Sequence, residues 1–227
     1  MRHFNNIHEM YYEVQRDLKE MGIKYVSETV QDQKVNKNTL ELHSYAYSLT
    51  SFEGQMALIR ELDINPNWLE TELADRTTLG LEYKNPGYAF GERIDFWNQF
   101  IRDGVFAYTY AERLHPQIPH VLRELRLRSN TRQAVLTMYD QHQDIMNFGG
   151  RDRIPCSMYY QLLYRNDKLH MNYTMRSCDF IKFFIADVIL ARGLQIWFCN
   201  QLKCNSGTFT HFIGSLHAFE EDLEGVF

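Results

Sequence analysis

The chain has 227 residues, of which 44% are hydrophobic and 23% are charged, and its formal net charge is −5. This length suits one domain with a sizeable core, and the negative charge argues against a nucleic-acid coat or a polybasic membrane tether. No apolar stretch reaches the roughly 20 residues of a membrane-spanning helix. The polar start lacks the apolar centre of a signal peptide. We therefore expect a single cytoplasmic domain over residues 1–227, with its four cysteines as free thiols.

The first half of the chain shows mostly helical spacing of its apolar residues, interrupted by one alternating segment. Asn65 or Asn67 is the expected N-cap of the third helix. The predicted elements are a helix over Phe4–Gly22, a strand over Thr39–Leu49, helices over Gln55–Leu62 and Asn67–Arg76, a loop over Tyr83–Gly91 and a helix over Pro119–Leu127.

The second half contains more strands, and its strands and helices do not alternate regularly. That mixture indicates an α+β fold with a mixed sheet rather than a doubly wound parallel sheet. The predicted elements are a strand over Ala134–Tyr139, a loop over Asp140–Ile154, strands over Cys156–Tyr164 and Leu169–Met175, a buried helix over Phe180–Phe198 and a strand over Thr208–His217.

Cys156 begins a strand after a long loop, where a thiol can be presented at the edge of a cavity. Its position fits either a reactive thiol or a buried small hydrophobic residue. Arg176 and Ser177 combine a planar guanidinium fork with a hydroxyl donor, which suits a phosphate group. The alternative is an ordinary ion pair between Arg176 and Asp179. His217 ends a later apolar strand, where a structural role is the competing interpretation.

Three segments together resemble the thymidylate synthase family. They are Ile154-Pro155-Cys156-Ser157, Met175-Arg176-Ser177-Cys178-Asp179 and Phe212-Ile213-Gly214-Ser215-Leu216-His217. The residues of these motifs are most similar to the phage deoxycytidylate hydroxymethylase branch, and the resemblance extends from about Thr131 to Phe219. It implies a mixed sheet flanked by helices, with one sheet face used to form a homodimer.

Asp187 lies eleven positions after Arg176, where the resemblance places an Asn in thymidylate synthases and an Asp in the cytidylate hydroxymethylases. An amide satisfies the O4 acceptor and N3 donor of uracil. A carboxylate accepts from the N4 amino group of cytosine, and a proton shared with N3 completes the pair. The alternative is a polar residue on a buried helix, although a buried carboxylate needs a partner.

The earlier half matches the family at fewer positions. Glu72 falls on the helix that resembles the one with the family's catalytic glutamate, and Glu70 is the alternative. Tyr110 falls where the family has a tyrosine near the nucleophile, with Tyr108 as its rival. Trp97 resembles the family's active-site tryptophan and is otherwise a core residue.

Two cations of the first half have counterparts in the family's phosphate site. Lys34 takes the place of a phosphate-loop cation, or is a solvated lysine. Arg132 matches an arginine that reaches the partner subunit's phosphate, which requires a dimer. Only one of the family's two arginines is present, and the residues that stand in the second one's place or could compensate for it are Thr131, Gln133, Arg126 and Arg128.

The resemblance implies that 5,10-methylenetetrahydrofolate delivers a one-carbon unit to C5 of a pyrimidine nucleoside monophosphate, after the thiolate adds to C6. If this chain follows the hydroxymethylase branch, Glu72 then activates a water and the product carries a hydroxymethyl group. Hydride transfer from the folate would give a methyl group instead. The implied site residues are catalytic Cys156, Glu72, Tyr110 and Asp187; substrate-binding Arg176, Ser177, Arg132, Lys34 and His217; and folate-binding Asp179 and Trp97, with no metal.

Several alternatives stay open. Phe219 stands where the family has a tyrosine that bonds the sugar, so deoxyribose and ribose substrates both remain candidates. Ten residues follow His217, fewer than the family's folate-closing tail. The product is either hydroxymethylated or methylated, and the base is either cytosine or uracil. A non-catalytic nucleotide-binding subunit of a nucleotide-synthesis assembly is the alternative from another class.

Overall fold

The computed structural model describes residues 1–28, 36–78, 98, 100–102, 104–106, 108–147 and 153–223. Within these ranges, no helix has the length and apolar character required to span a bilayer. The predicted loop over 83–91 lies outside them. The described helices are α1 (Ile7–Met21), α2 (Gln55–Glu61), α3 (Pro66–Thr77), α4 (Tyr110–Leu114), α5 (Ile118–Leu127) and α6 (Phe184–Leu202), with 3₁₀ turns over Asp144–Asn147 and Glu220–Asp222.

Asparagine side chains begin two of the helices. Asn6 accepts a hydrogen bond from the Glu9 backbone N–H at 2.7 Å and so caps α1. Asn65 accepts from the backbone N–H of Asn67 at 2.9 Å, and Pro66 follows it in the first turn of α3. Asn65 is therefore the cap of α3, and the alternative cap, Asn67, is wrong.

The strands form one seven-stranded mixed sheet and a two-stranded hairpin. The order of the main sheet is β1-β3-β9-β8-β7-β6, with β2 paired to the other end of β3. Among the described strands, only the β1–β3 and β8–β9 pairs are parallel. The strands are β1 (Arg2–Phe4), β2 (Ile23–Glu28), β3 (Asn36–Leu49), β4 (Ile101–Arg102), β5 (Val105–Phe106), β6 (Val135–Thr137), β7 (Ser157–Arg165), β8 (Lys168–Asp179) and β9 (Asn205–Phe219).

The long final helix begins later than its apolar pattern predicts. The pattern predicts a helix from Phe180, whereas α6 begins at Phe184. The Asp179 carboxylate accepts from the backbone N–H groups of Ile181 and Lys182, at 3.0 and 3.1 Å. These bonds hold a turn at the end of β8, so the helix starts only after that turn.

The core lies between one face of the sheet and the helices α1, α3 and α6. Helix α6 is buried on nearly all sides, which agrees with its continuous apolar sequence. It crosses α3 closely at Gly193, where a Cβ atom would lie 2.6 Å from Leu73 Cδ2. This crossing brings α3 and the first turn of α6 to the same end of the sheet.

In four adjacent strands, the alternation of inward-facing and outward-facing residues is interrupted by one extra residue. The four interruptions lie in one row across the sheet. Buried or half-buried positions are three residues apart there, instead of two, as in Leu42 and Tyr45 or Ile213 and Leu216. Ser44 has a φ of +53°, and the β7–β8 register shifts between Ser157 and Tyr159. Such irregularities bend strands, so the sheet is kinked along this row. The paired row beside the kink is Tyr45, Ile213, Met175 and Ser157.

The other face of the sheet carries large side chains that the helices do not cover. Phe212 on β9 is 41% exposed and Tyr159 on β7 is 39% exposed. Large exposed apolar groups on one face are typical of a surface that another protein covers. Dimerisation through this face remains a prediction.

Candidate active site

Cys156 is half-buried and directly precedes β7 at the kink. Its carbonyl accepts from the backbone N–H of Arg176 at 2.8 Å, which ties it to β8. Its Sγ lies 3.6 Å from Ser177 Oγ and 3.8 Å from Arg176 Nη2. The thiol therefore lies beside both a guanidinium and a hydroxyl, next to the chain segment that joins it to β8.

Arg176 is exposed, and backbone carbonyls hold its guanidinium. Nε and Nη2 each donate a hydrogen bond of 2.9 Å, to the carbonyls of Pro155 and Ile154 respectively. Nη1 donates to Ser177 Oγ at 3.1 Å. Among the described residues, no carboxylate forms an ion pair with Arg176, so the alternative pair with Asp179 is wrong. The arrangement presents a fixed, uncompensated positive charge beside the thiol, as an anion site requires.

Asp179 and His217 are Cα partners at the end of the β8–β9 pair. Burial raises the pKa of the Asp179 carboxyl, and the hydrogen bond from Lys182 and the charge of His217 oppose that rise. His217 Nδ1 lies 3.5 Å from Ser215 Oγ. The two predicted site residues therefore lie side by side, and Asp179 is on β8, the strand that carries Arg176 and Ser177.

The helical side of the site is organised by Arg76, in the last turn of α3. Its Nε donates to Glu72 Oε1 at 2.8 Å, and its Cζ lies 4.6 Å from the centre of the Tyr110 ring. The Tyr110 hydroxyl accepts from the backbone N–H of Ser157 at 3.4 Å. This chain of contacts links Glu72 to the residue after Cys156.

Asp187 lies in the first turn of α6 and reaches the same group of side chains electrostatically. Burial lowers the pKa of Arg76, but the charge of Glu72, with smaller contributions that include Asp187, produces a net rise. Burial raises the pKa of Tyr110 well above its usual value, and Tyr108, Cys156 and Asp187 add to that rise. The Asp187 carboxylate thus lies within electrostatic range of both Arg76 and Tyr110.

A cavity of about 230 Å³ opens between the start of α3 and the turn that follows β8. Its lining includes aromatic rings of Trp68, Phe180 and Phe183 together with Lys182. Asp179 directly precedes the turn that forms one wall. Aromatic walls with a cation and a nearby carboxylate suit a flat, polar, acidic ligand.

The structure does not join the other three predicted residues to this cluster. Lys34 and Trp97 fall outside the described residues. Arg132 is exposed, and its carbonyl accepts from Gln161 Nε2 at 3.0 Å. Because Gln161 is five positions beyond Cys156, Arg132 lies at a distance of roughly 16 Å along β7. Arg132 is thus remote from the thiol of its own chain, as a residue that acts across an interface would be.

Sequence reasoning did not single out Arg76, although one signal was present. An arginine four residues after a glutamate shares its helix face and pairs with it. What the spacing does not show is that Arg76 is 5% exposed. The structure also distinguishes the two rival tyrosines, because Tyr110 bonds the Ser157 N–H, whereas the Tyr108 hydroxyl has no hydrogen-bond partner among the described residues.

The comparisons with known proteins identify the fold and the family. The thermostable thymidylate synthase A from Bacillus subtilis superposes with a TM-score of 0.66, covering 97% of this chain and 82% of that protein at 16% identity. This likeness confirms the predicted α+β fold, a mixed sheet with flanking helices. The thymidylate synthase family model matches residues 55–227. The chain belongs to the thymidylate synthase family, as its motifs indicated.

Three curated relatives are similar over part of the chain. Putative thymidylate synthases from Methanocaldococcus jannaschii and Methanopyrus kandleri are 29% and 30% identical over 51% and 52% of this chain. A deoxyuridylate hydroxymethyltransferase from Bacillus phage SP01 is 28% identical over 70% of this chain. The alignments cover 52%, 57% and 45% of these three proteins. The chain thus spans about half the length of the curated relatives it matches.

Proposed function

We propose that the chain catalyses folate-dependent one-carbon transfer to C5 of a cytosine nucleoside monophosphate and releases the 5-hydroxymethyl product. The observation that carries the choice of base is Asp187, a carboxylate in the first turn of α6 whose charge contributes to the raised pKa of Tyr110. A carboxylate accepts from the N4 amino group of cytosine, but it has no donor for O4 of uracil unless it is protonated.

The sheet side of the site would bind the nucleotide. Arg176 and Ser177 would hold the 5′-phosphate, with Arg132 of a second copy and Lys34 as further cations. His217 would bond the sugar. Because Arg176 is fixed by the Ile154 and Pro155 carbonyls, it would bind the phosphate without first losing side-chain freedom.

The protein's own groups would carry the chemistry on the base. The Cys156 thiolate adds to C6, which makes C5 nucleophilic. Tyr110 holds the backbone N–H of Ser157 and so fixes the start of β7. Glu72 would hold the water whose oxygen becomes the product hydroxyl and would accept its proton, which is general-base catalysis.

The cavity beside the turn that follows Asp179 would bind 5,10-methylenetetrahydrofolate. Its aromatic residues suit a pterin or benzoyl ring, and Lys182 suits a glutamate carboxylate, while the neighbouring Asp179 would accept from ring N–H donors. When bound, the folate supplies a one-carbon unit at the oxidation level of formaldehyde. Asp179 and the cavity would hold it, with Trp97 as a further predicted contact.

Deoxyuridylate is the second candidate substrate, because the relative that aligns with 70% of this chain is named a deoxyuridylate hydroxymethyltransferase. The two candidates share the thiol chemistry and differ only in the base that Asp187 faces. In that second case, Asp187 would be protonated and donate to O4.

The test is product analysis of deoxycytidylate, cytidylate and deoxyuridylate, each incubated with methylenetetrahydrofolate. We expect a hydroxymethyl product from a cytosine nucleotide, and the pair of cytosine assays identifies the sugar. Faster conversion of deoxyuridylate, or a methylated product, would contradict the proposal. Covalent capture of a 5-fluoropyrimidine nucleotide at Cys156 separates an enzyme from a binding subunit, which would bind nucleotide without an adduct.

A further inference from the structure

Arg76 is a buried cation at the helical side of the site. It is 5% exposed, in the last turn of α3. Its guanidinium lies between the Glu72 carboxylate, 2.8 Å from Nε, and the Tyr110 ring, 4.6 Å from Cζ. Burying a guanidinium is costly unless it is paired, so a residue held there needs specific partners.

Arg76 contacts two side chains that the proposed reaction uses, those of Glu72 and Tyr110. Glu72 lies four positions before Arg76 on one helix face, and its side chain is 19% exposed, so one part reaches open space. The Tyr110 ring beneath the guanidinium belongs to the side chain that holds the Ser157 N–H. The field of Asp187 also acts on Arg76. A single side chain therefore contacts two of the four predicted catalytic residues, Glu72 and Tyr110.

We propose that Arg76 is a positioning residue that fixes the Glu72 carboxylate against Tyr110, so that Glu72 can hold the attacking water. This inference rests on the proposed function, because it concerns the step in which water enters.

As the water oxygen bonds to the exocyclic methylene carbon of the nucleotide, one water proton passes to Glu72. The electron pair of the exocyclic double bond moves into the C5–C6 bond and expels the Cys156 thiolate from C6. A guanidinium bonded to one oxygen of Glu72 leaves the other oxygen as the proton acceptor, and it prevents the carboxylate from rotating away.

The test is a kinetic cycle with Arg76→Met, Glu72→Gln and the double variant, measured on whichever nucleotide the wild-type protein converts. We expect R76M to lower kcat about 100-fold, since positioned general bases contribute factors of this order. The nucleotide KM should change less than about threefold, because the phosphate site is on the other side. In the E72Q background, R76M should have no further effect.

Arg192→Met is the matched control. Arg192 on α6 also lies over an aromatic ring, with its Cζ 4.7 Å from the centre of Phe52, and it donates hydrogen bonds to Gln195 on the same helix and to Ser206 on β9. We expect R192M to leave kcat unchanged. Arg76→Lys keeps the charge but loses the planar fork, and it should recover part of the kcat that R76M loses.

Two kinetic results would overturn the role. One is an R76M kcat within threefold of wild type, and the other is an equal loss in the wild-type and E72Q backgrounds. A crystal structure of R76M separates this inference from the proposed function. If Glu72 is displaced in the R76M structure but the wild-type protein converts no nucleotide, the positioning role stands and only the proposed function is contradicted. An unmoved Glu72 contradicts the positioning role.

Discussion

The two sides of the candidate site differ in how they hold their charges. On the sheet side, Arg176 is exposed, and backbone carbonyls beside the kink fix its guanidinium. On the helical side, Arg76 is buried, and a carboxylate and an aromatic ring fix it. The first cation has no carboxylate partner among the described residues, whereas the second is already neutralised.

This difference indicates that the two cations have different functions. An exposed cation held without a counterion is available to an incoming anion, which suits phosphate binding. A neutralised, buried ion pair cannot attract an anion, but it can hold a carboxylate in one orientation. Variants of the two sides should therefore fail in different ways, and the following predictions test that expectation.

The largest effect should come from the thiol at the boundary between the two sides. Cys156→Ala should lower kcat by roughly 10⁴-fold or more, because no other group can form the bond to C6. Steady-state assays and mass spectrometry after incubation with a 5-fluoropyrimidine nucleotide measure this. Cys199→Ala, which alters a buried thiol on α6, is the control and should retain the adduct. An adduct on the C156A protein would identify a different nucleophile.

Asp187 tests whether the helical side selects the base. Asp187→Asn should lower kcat/KM for the cytosine nucleotide about 100-fold and raise it for deoxyuridylate, because the amide supplies the donor that uracil O4 needs. Competition assays with both nucleotides measure the ratio. An Asp17→Asn variant removes a buried carboxylate on α1 and should leave the ratio unchanged. An unchanged ratio in D187N would remove Asp187 from base recognition.

A substitution at the kink tests whether the close approach of β8 and β9 positions Arg176 for nucleotide binding. Gly214 lies opposite Arg176, and a Cβ atom there would be 2.7 Å from the Arg176 carbonyl oxygen. Gly214→Ala should lower the free energy of unfolding by about 1–3 kcal/mol, because one strand must move. It should also raise the nucleotide KM. Urea unfolding and kinetics measure the two effects, with Thr210→Ala on the same strand as the control. A G214A protein as stable as wild type would show that the close approach is not required.

The smallest effect concerns His211, a buried histidine on β9. Burial lowers the pKa of His211 from 6.5 to about 3, and its Nδ1 lies 3.0 Å from the Tyr47 hydroxyl. The unfolded chain binds a proton below pH 6.5 that the folded chain does not, so stability falls as pH decreases from 6.5. Between pH 7.5 and 5.5 wild type should lose about 1.4 kcal/mol more than His211→Gln. Urea unfolding at both pH values checks this, and equal losses would contradict it.

The sequence predicted the sheet side better than the helical side. The nucleophile and phosphate motifs are short contiguous segments, so local residue order already carries their chemistry, and the family match agrees with them. On the helical side Arg76 was not identified as a site residue, because its burial depends on how α3 packs against α4 and α6. The strands β1 and β2 were missed for a similar reason, since both exist through pairing with β3.

By itself, the sequence determined the family and the residues that carry its motifs, because those depend on residue type and local spacing. It also determined the main helices and central strands, because apolar periodicity is a local property. Only the tertiary structure decided that Asp179 caps a turn instead of pairing with Arg176, and that a kink across four strands places the thiol beside Arg176 and Ser177. These outcomes depend on contacts between segments far apart in the chain, which no local pattern encodes.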